Sequence, residues 1–570
     1  MQPHTLRQRL THQVTVALQA LVAKGTLPET DPAPRVLLSP PKQPEHGDYS
    51  CAVALSLAKS SGKKPRDVAI ALQQALGLAD GLLAKTDVAG PGYLNLTVAP
   101  HVWSDVLRQI LKQGGSFLRS NTGQGERILL EYVSANPTGP LHVAHGRGAV
   151  MGDVLARLLS ATGYAVEREY YVNDLGRQTD VMAESLYLRY AEACGRPFTP
   201  PDDFYPGSYI TEMATELLAE VGKKYLDSPP SDYLEPLRSF GIAAMRRRIE
   251  ADLQAYGIAF DHFVSERALT AEVDLMGMVQ RLERAGHIYE KEGKKWFRTT
   301  DFGDDKDRVV LREDGRPTYF ASDIAYHDHK MQRGFPRLIN VWGADHAGYV
   351  TRVKAGLQAL GHDPAALHVV FIQMVSLSRG GAAVKMGKRL GTAVWLREII
   401  DEVGRDAARY FFLMRRCDAQ MDFDLDLATR KTLDNPVFYA QMGHARLASI
   451  ARKALEAGIA PPQLQTADLS LLQLPEEIEL IRTLARAPDL LADAAQALEP
   501  HQVVVFIAGL IAQFHSYYTQ YKNTDRVVGD DGPKTHARLL LCRGLQTVLK
   551  ELLDLLGVHA PERMVLTDPA

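Results

Sequence analysis

Apolar positions in the first 115 or so residues switch between two spacings. Leu6–Ala23 and Cys51–Ser60 repeat at three and four, as one face of a helix does, and Lys63-Lys64-Pro65-Arg66-Asp67 introduces a third such stretch. Val36–Leu38 and the two halves of Thr86–Val98, around a Gly-Pro-Gly turn, read as strands. These elements predict a small α/β domain over residues 1–115. From about 120 the pattern changes. Ile128–Val133 is an apolar strand, a helix runs to Ser160 with Gly163 as its stop, and Ala165–Val172 is a second strand. Strand, helix and strand in that order imply a parallel sheet. A mainly helical insertion, about 181–256, is broken at Pro197 to Pro200 and at Asp227 to Ser231. Short strands return at Trp296–Arg298, Val309–Leu311, Leu338–Trp342 and Val369–Val375, and the sheet region closes near 430. Spacing is helical from about 395, and residues 431–570 predict an antiparallel, all-α helical bundle.

The length supports this division, because 570 residues exceed what one core organises. A net charge of -3 gives no sign of a nucleic-acid partner, so any basic surface must be local. The four cysteines (Cys51, Cys194, Cys417, Cys542) are far apart with no CxxC pair. That spacing argues against a disulfide framework and a cysteine-based zinc site, and suits a reducing cytosol. Residues 1–24 carry no apolar leader core, and the most apolar run, Val503–Ala512, is too short to span a bilayer. A soluble, cytoplasmic protein without membrane contact is expected.

The chemistry concentrates in Glu131–Asp153, EYVSANPTGPLHVAHGRGAVMGD. A strand breaks at Asn136, Pro137, Gly139 and Pro140, and a helix begins near His145. Strand, tight turn and helix N-terminus make an anion site, since the first helical N–H groups lack partners and carry the positive end of the dipole. His142 and His145, three apart, can both face what the helix end holds, and Gly146 and Gly148 keep the surface low there. The stretch holds neither the GxxxxGK[ST] of a P-loop nor the HExxH of a zinc helix. On these residues alone a loop-to-helix junction with two solvated histidines stays open. WGADHAG at Trp342–Gly348 ends another strand and adds Asp345 and His346 as pocket candidates.

SANPTGPLHVAHGRG resembles the first motif of class I aminoacyl-tRNA synthetases, in the extended form of the arginyl-tRNA synthetases. About 240 residues on, VKMGKRLGT at Val384–Thr392 resembles their second motif, the KMSKS loop. HGDYS and AGPGYLN resemble the same family's N-terminal additional domain. NPVFYAQMGHAR, QFHSYYTQY and LLGVHAPERM resemble its anticodon-binding domain. The resemblance implies a Rossmann-like parallel-sheet catalytic domain with a helical insertion (120–430), a small N-terminal α/β domain (1–115) and a C-terminal all-α bundle (431–570).

It also implies the substrates L-arginine, ATP and tRNA-Arg, with Mg²⁺ arriving on ATP and no structural metal. The arginine carboxylate would attack the α-phosphorus of ATP, and the adenylate would then pass its aminoacyl group to the tRNA 3′ end. His142, His145, Lys385 and Lys388 would be catalytic, steadying phosphate charge in the transition state. Ala144, Gly146, Met386 and Arg389 would complete the ATP site. Ala144 and Gly387 stand where the family has glycine and serine, so altered ATP affinity or loop kinetics is expected. Arginine would be held by Glu131, Ser134, Asn136, Tyr319 and Asp323, with Asp323 and Tyr319 toward the guanidinium. tRNA would meet Tyr93 and Asn95, two apart on one strand face, and Tyr517 and Arg543 in the bundle, where aromatics alternate with cations. By the same resemblance, arginine activation should require tRNA. A monomer is expected. A nucleotidyltransferase of similar fold acting on a small acid is the alternative, against which the helical last third counts. A non-catalytic tRNA-binding paralogue is opposed by the intact histidine and lysine motifs.

Overall fold

A computed structural model describes residues 5–41, 43–78, 81–384 and 394–565. In the N-terminal part, helices α1 (Leu6–Ala23), α2 (Val53–Ser61) and α3 (Pro65–Leu76) accompany strands β1 (Leu38–Ser39), β2 (Tyr49–Cys51), β3 (Leu83–Ala89) and β4 (Tyr93–Val98). The strands form one antiparallel sheet in the order β1-β2-β4-β3. Helix α4 (Pro100–Gln113) then leads to the central region.

The central sheet is fully parallel, with order β12-β11-β5-β6-β7. Its strands are β5 (Arg127–Glu131), β6 (Ala165–Val172), β7 (His262–Ser265), β11 (Arg337–Gly343) and β12 (Leu367–Ile372). Helix α5 (Val143–Ala161) crosses from β5 to β6, and nearly every one of its residues is buried. The insertion between β6 and β7 consists of α6 (Arg177–Ala193), α7 (Ser208–Val221) and α8 (Pro230–Ala255). Between β7 and β11 come α9 (Glu266–Glu272), α10 (Leu275–Arg284), an antiparallel sheet of β8 (Ile288–Lys291), β9 (Lys294–Phe297) and β10 (Arg308–Leu311), and helix α11 (Tyr319–Gln332). Helix α12 (Val350–Ala359) links β11 to β12. From β5 the chain builds outward through β6 and β7, then returns to place β11 on the other side. That reversal opens a crevice beyond the carboxyl ends of β5 and β11, where ligands of such sheets sit.

The predicted single strand Val369–Val375 is two strands. The chain leaves the central sheet after Ile372, and β13 (Val375–Arg379) joins a separate sheet with β14 (Ala382–Ala383) and β15 (Met421–Asp424). Helices α13 (Leu396–Val403) and α14 (Arg405–Leu413) precede β15, and α15 (Leu425–Thr429) follows it. The bundle comprises α16 (Pro436–Glu456), α17 (Pro475–Ala497), α18 (His501–Gln520) and α19 (Gly532–Leu555). One continuous apolar core joins N-terminal domain, α5 and bundle.

Candidate active site

The turn after β5 is strained where the pocket begins. Val133 and Ser134 take positive φ values of 69° and 41°, a region that costs a β-branched residue about 1–3 kcal/mol. Surrounding bonds hold this geometry. Ser134 Oγ donates to Glu131 Oε1 at 3.1 Å and accepts from the Tyr171 N–H at 3.1 Å. The Tyr170 hydroxyl donates to the Ala135 carbonyl at 2.9 Å. From the insertion, Tyr209 donates to the Thr138 carbonyl at 3.0 Å, so α7 braces the turn.

His142 is the N-cap of α5, and its ring stacks on His145 with centroids 3.6 Å apart. The His142 N–H donates to His145 Nδ1 at 3.2 Å. The backbone on either side is zipped to residues 394–396: Val143 N–H donates to the Val394 carbonyl at 3.2 Å, and Leu396 N–H to that of Leu141 at 2.7 Å. The histidine pair thus stands at the positive end of a buried helix. Two buried guanidiniums fix that helix. Arg147 donates to the carbonyls of Gln373, Ala419 and Arg416, which ties α5 to the chain entering β13 and β15. Arg409 pairs with Asp153 of α5 and donates to the carbonyls of Leu556 at 2.9 Å and Tyr256 at 3.0 Å.

Beyond the same sheet edge lies a cluster of acids. Asp323 of α11 accepts from the Tyr349 hydroxyl. Burial pushes its carboxyl up to about 6; the Glu131 charge adds to this, while Tyr349, Lys330 and His346 oppose it. Glu266, the first residue of α9, is pushed up to about 7 by burial and by the charges of Asp323 and Asp174. The Asn173 amide, turned with its nitrogen toward Glu266, donates to it at 2.7 Å. Beneath them Lys330, wholly buried, pairs with Glu131, sits 3.8 Å from Glu169 and lies 4.1 Å over the Tyr326 ring. Glu169 also accepts from Arg333 at 2.6 Å and from the Tyr326 hydroxyl at 2.5 Å. Burial would raise Glu169, but these partners together hold it below the ordinary carboxylate range. His327, pushed down to about 3 by burial and by Lys330, is neutral; its Nδ1–H donates to the Asp323 carbonyl at 2.8 Å, and Nε2 accepts from Asn340 at 2.9 Å.

The sheet edge therefore gathers His142, His145, Glu131, Ser134 and Asp323. Tyr319, one turn before Asp323, is 66% exposed and faces Gly176 across the opening. Asn136 donates to Gln178 at 2.6 Å at the start of α6. Ala144 is half-buried behind the histidines, and Asp345 and His346 stand exposed past the end of β11. Lys385, Met386, Lys388 and Arg389 lie outside the described residues.

Other expectations need correction. A Cβ on Gly146 would fall 2.5 Å from Leu396 Cδ1, so its smallness also serves packing of α5 on α13. Tyr93 is 41% exposed, yet Asn95 is 4% exposed, because β4 runs between β2 and β3 and the Gly47-Asp48 turn lies against Thr97 on the face the two residues share. Tyr517 is 1% exposed and donates to Glu477 at 3.1 Å; Glu477 also accepts from Arg538 at 2.7 Å. It is a core residue of the bundle. With Tyr518, Tyr521, Lys453, Lys522 and Arg526 it also lines a cavity of about 120 Å³. Arg543 is exposed on α19, between that helix and α16. Glu266 and Lys330 carry no sequence signal beyond being charged residues near strand or helix ends.

A parallel sheet with its crevice at β5 and β11, a helix end bearing paired histidines and an acidic pocket beside it define a class I aminoacyl-tRNA synthetase. Residues 106–448 match the model for the class I (R) tRNA synthetase catalytic domain. Residues 8–98 match the arginyl-tRNA synthetase N-terminal domain, and 440–564 the DALR anticodon-binding domain. An arginine–tRNA ligase of Syntrophotalea carbinolica is 45% identical over 564 residues, 98% of this chain and 100% of that protein. One from Anaeromyxobacter dehalogenans is 47% identical over 92% of each chain. Arginyl-tRNA synthetase of Thermus thermophilus shares the fold with a TM-score of 0.75, at 24% identity over 98% of this chain and 100% of that one. The chain belongs to the arginyl-tRNA synthetase family, and joining arginine to tRNA is its reaction.

Proposed function

We propose that the pocket at Asp323 and Glu266 takes the arginine guanidinium, and that His142 and His145 hold ATP phosphate oxygens as the carboxylate attacks the α-phosphorus. The observation that carries this reading is a pair of half-desolvated carboxylates, Asp323 and Glu266, each pushed up, with no ion pair to either among the described residues. A planar fork of donors satisfies two such acceptors at once. Glu131 and Asn136, at the strained turn, receive the substrate ammonium; each Glu131 oxygen, engaged once already, keeps a second lone pair. Tyr319 closes over the guanidinium arm. Ala144 borders the adenine.

Lys385 and Lys388, with Met386 and Arg389, meet the leaving pyrophosphate. Support for this comes from the chain on either side: Val384 bonds to β13 through the Leu377 carbonyl at 2.8 Å, and Val394–Leu396 is zipped to the histidine turn. Mg²⁺ enters on ATP, held by its phosphates. The N-terminal domain (1–115) and bundle (431–570) hold tRNA-Arg, Tyr93 and Arg543 being the exposed candidates. The enzyme acts as a cytoplasmic monomer, and four free cysteines suit that compartment.

Pyrophosphate exchange with ATP, run over the amino acids with and without tRNA, tests the whole. Exchange with arginine alone, and only with tRNA present, is expected. Exchange with another small acid, independent of tRNA, would indicate a nucleotidyltransferase instead. No exchange at all would leave a tRNA-binding protein.

A further inference from the structure

Lys330 is a fully buried ammonium beneath the arginine pocket. Stability gives little reason for it, since an apolar side chain of similar volume usually packs as well as a buried ion pair. Its placement gives more. Helix α11 presents Asp323, His327 and Lys330 at i, i+4 and i+7, along one face. At the far end of that face the ammonium touches Glu131 of β5 and lies 3.8 Å from Glu169 of β6. The buried cluster holds the acids Glu131, Glu169, Asp174, Asp323 and Glu266 against two cations, Lys330 and Arg333. The acids outnumber the cations, and that excess of negative charge suits a substrate with two cationic ends.

We infer that Lys330 is a positioning residue for substrate selection: it fixes the Glu131 carboxylate between itself and Ser134, and it neutralises enough of the buried acid that the rest stays ionised for a cationic amino acid. The inference rests on the reading of Asp323 as a guanidinium acceptor. The groups that face Asp323 are Glu131 from β5, Tyr171 from β6, Glu266 from α9, His346 and Tyr349 after β11, and His327 and Lys330 of its own helix. Among these, Lys330 and His346 pull the Asp323 carboxyl down and Glu131 pushes it up, so removing Lys330 raises it further. An acceptor that holds its proton to higher pH binds arginine only at higher pH.

The test uses the full chain with its tRNA, following the arginine KM by pyrophosphate exchange from about pH 5.5 to 8.5. In the wild type the KM should climb on the acid side of a break set by the pocket acids. In Lys330→Met that break should move up by about one pH unit, the effect of losing a nearby opposite charge. The arginine KM should rise about fivefold at pH 6 and about twofold at pH 7, with the ATP KM unchanged at both. Lys330→Arg, which keeps the cation, should retain the wild-type break. If Lys330→Met does not fold, Lys330→Gln/Glu169→Gln removes equal and opposite buried charge, keeps the hydrogen-bonding groups, and should shift the break in the same direction, because Lys330 acts on Asp323 more strongly than Glu169 does. A wild-type break in the neutral variants, an equal shift in Lys330→Arg, or an ATP KM that rises as much as that for arginine would overturn the inference. Asp323→Asn separates the two ideas. Two titrating acids give a two-step fall in affinity, so Asp323→Asn should leave a single break, from Glu266; a two-step fall that persists unseats Asp323 as a titrating acceptor, while the effect of Lys330 is still read on the break that remains.

Discussion

Glu266→Gln removes one of the two pocket carboxylates while keeping its size and one acceptor oxygen. Burial and neighbouring charge hold Glu266 up to about 7 and Asp323 up to about 6. At pH 7 the first is therefore about half protonated and the second about one-tenth. A guanidinium paired with both needs both ionised, so arginine binding at pH 7 should release about half a proton, nearly all of it from Glu266. The sign follows from the raised values: affinity is full at about pH 8, falls as pH drops through 7, and falls more steeply through 6, by about tenfold per unit for each acid that must lose its proton. In the variant the upper limb disappears. Proton release at pH 7 should then approach zero. At pH 8, where wild type is about nine-tenths ionised, loss of one charge-assisted bond should weaken arginine by about 2–3 kcal/mol, roughly 30- to 150-fold. Titration calorimetry of arginine into the enzyme–tRNA complex, in two buffers of different ionisation heat, reads affinity and proton count together. If wild type releases no proton, or the variant releases as many, Glu266 does not meet the guanidinium.

His142→Ala should slow adenylate formation by about 10²–10³ with little change in arginine KM, since one transition-state donor typically contributes that much; rapid-quench rates at the wild-type level would remove it from catalysis. Arg409→Met leaves the buried Asp153 carboxylate with Arg157 as its remaining ion-pair partner and strands two carbonyls, and should cost about 3–5 kcal/mol in denaturant unfolding, part of it recovered in Arg409→Met/Asp153→Asn. No recovery in the double variant would mean the guanidinium acts through the carbonyls alone. In the bundle, Tyr518→Ala should weaken tRNA binding by about 1–3 kcal/mol at fixed salt, the worth of one stacked base, while Tyr517→Phe should leave it unchanged and lower stability. The reverse pattern in filter-binding and unfolding measurements would restore Tyr517 as a tRNA contact.

What can be read from the sequence is local. The strand–turn–helix at Glu131–Asp153 announces an anion site because its parts are contiguous, and the structure places His142 at the helix N-cap beside His145. Asp323 is legible by its place in a recognisable segment. Glu266 is not: it opens a short helix almost sixty residues away in sequence, and only the parallel order β5-β6-β7 brings it beside Asp323. The same holds for Lys330, whose partner Glu131 is 199 positions distant. Nor does composition disclose the strain at Val133, since a β-branched residue is among the last that local preference would put at positive φ.

Tyr517 differs from these, because the chain does carry the signal that turns it inward. Val503, Ile507, Leu510, Phe514 and Tyr517 recur at four and three along α18, and all five are buried. That stripe is the face a bundle helix turns to its neighbours, and spacing assigns Tyr517 to its centre and Tyr518, four after Phe514, to its margin, where it packs half-buried against the core. A count of aromatics among cations ignores the spacing that separates the two kinds. A buried tyrosine needs a partner for its hydroxyl, and Glu477 supplies one, itself held by Arg538 from 61 residues further on. Periodicity thus fixes which side chains face inward, while the identity of their polar partners is set by tertiary neighbours. At the active site the same division applies: the face of α11 that carries Asp323 and Lys330 follows from the helical repeat, but the acids and cations it meets there come from three other elements.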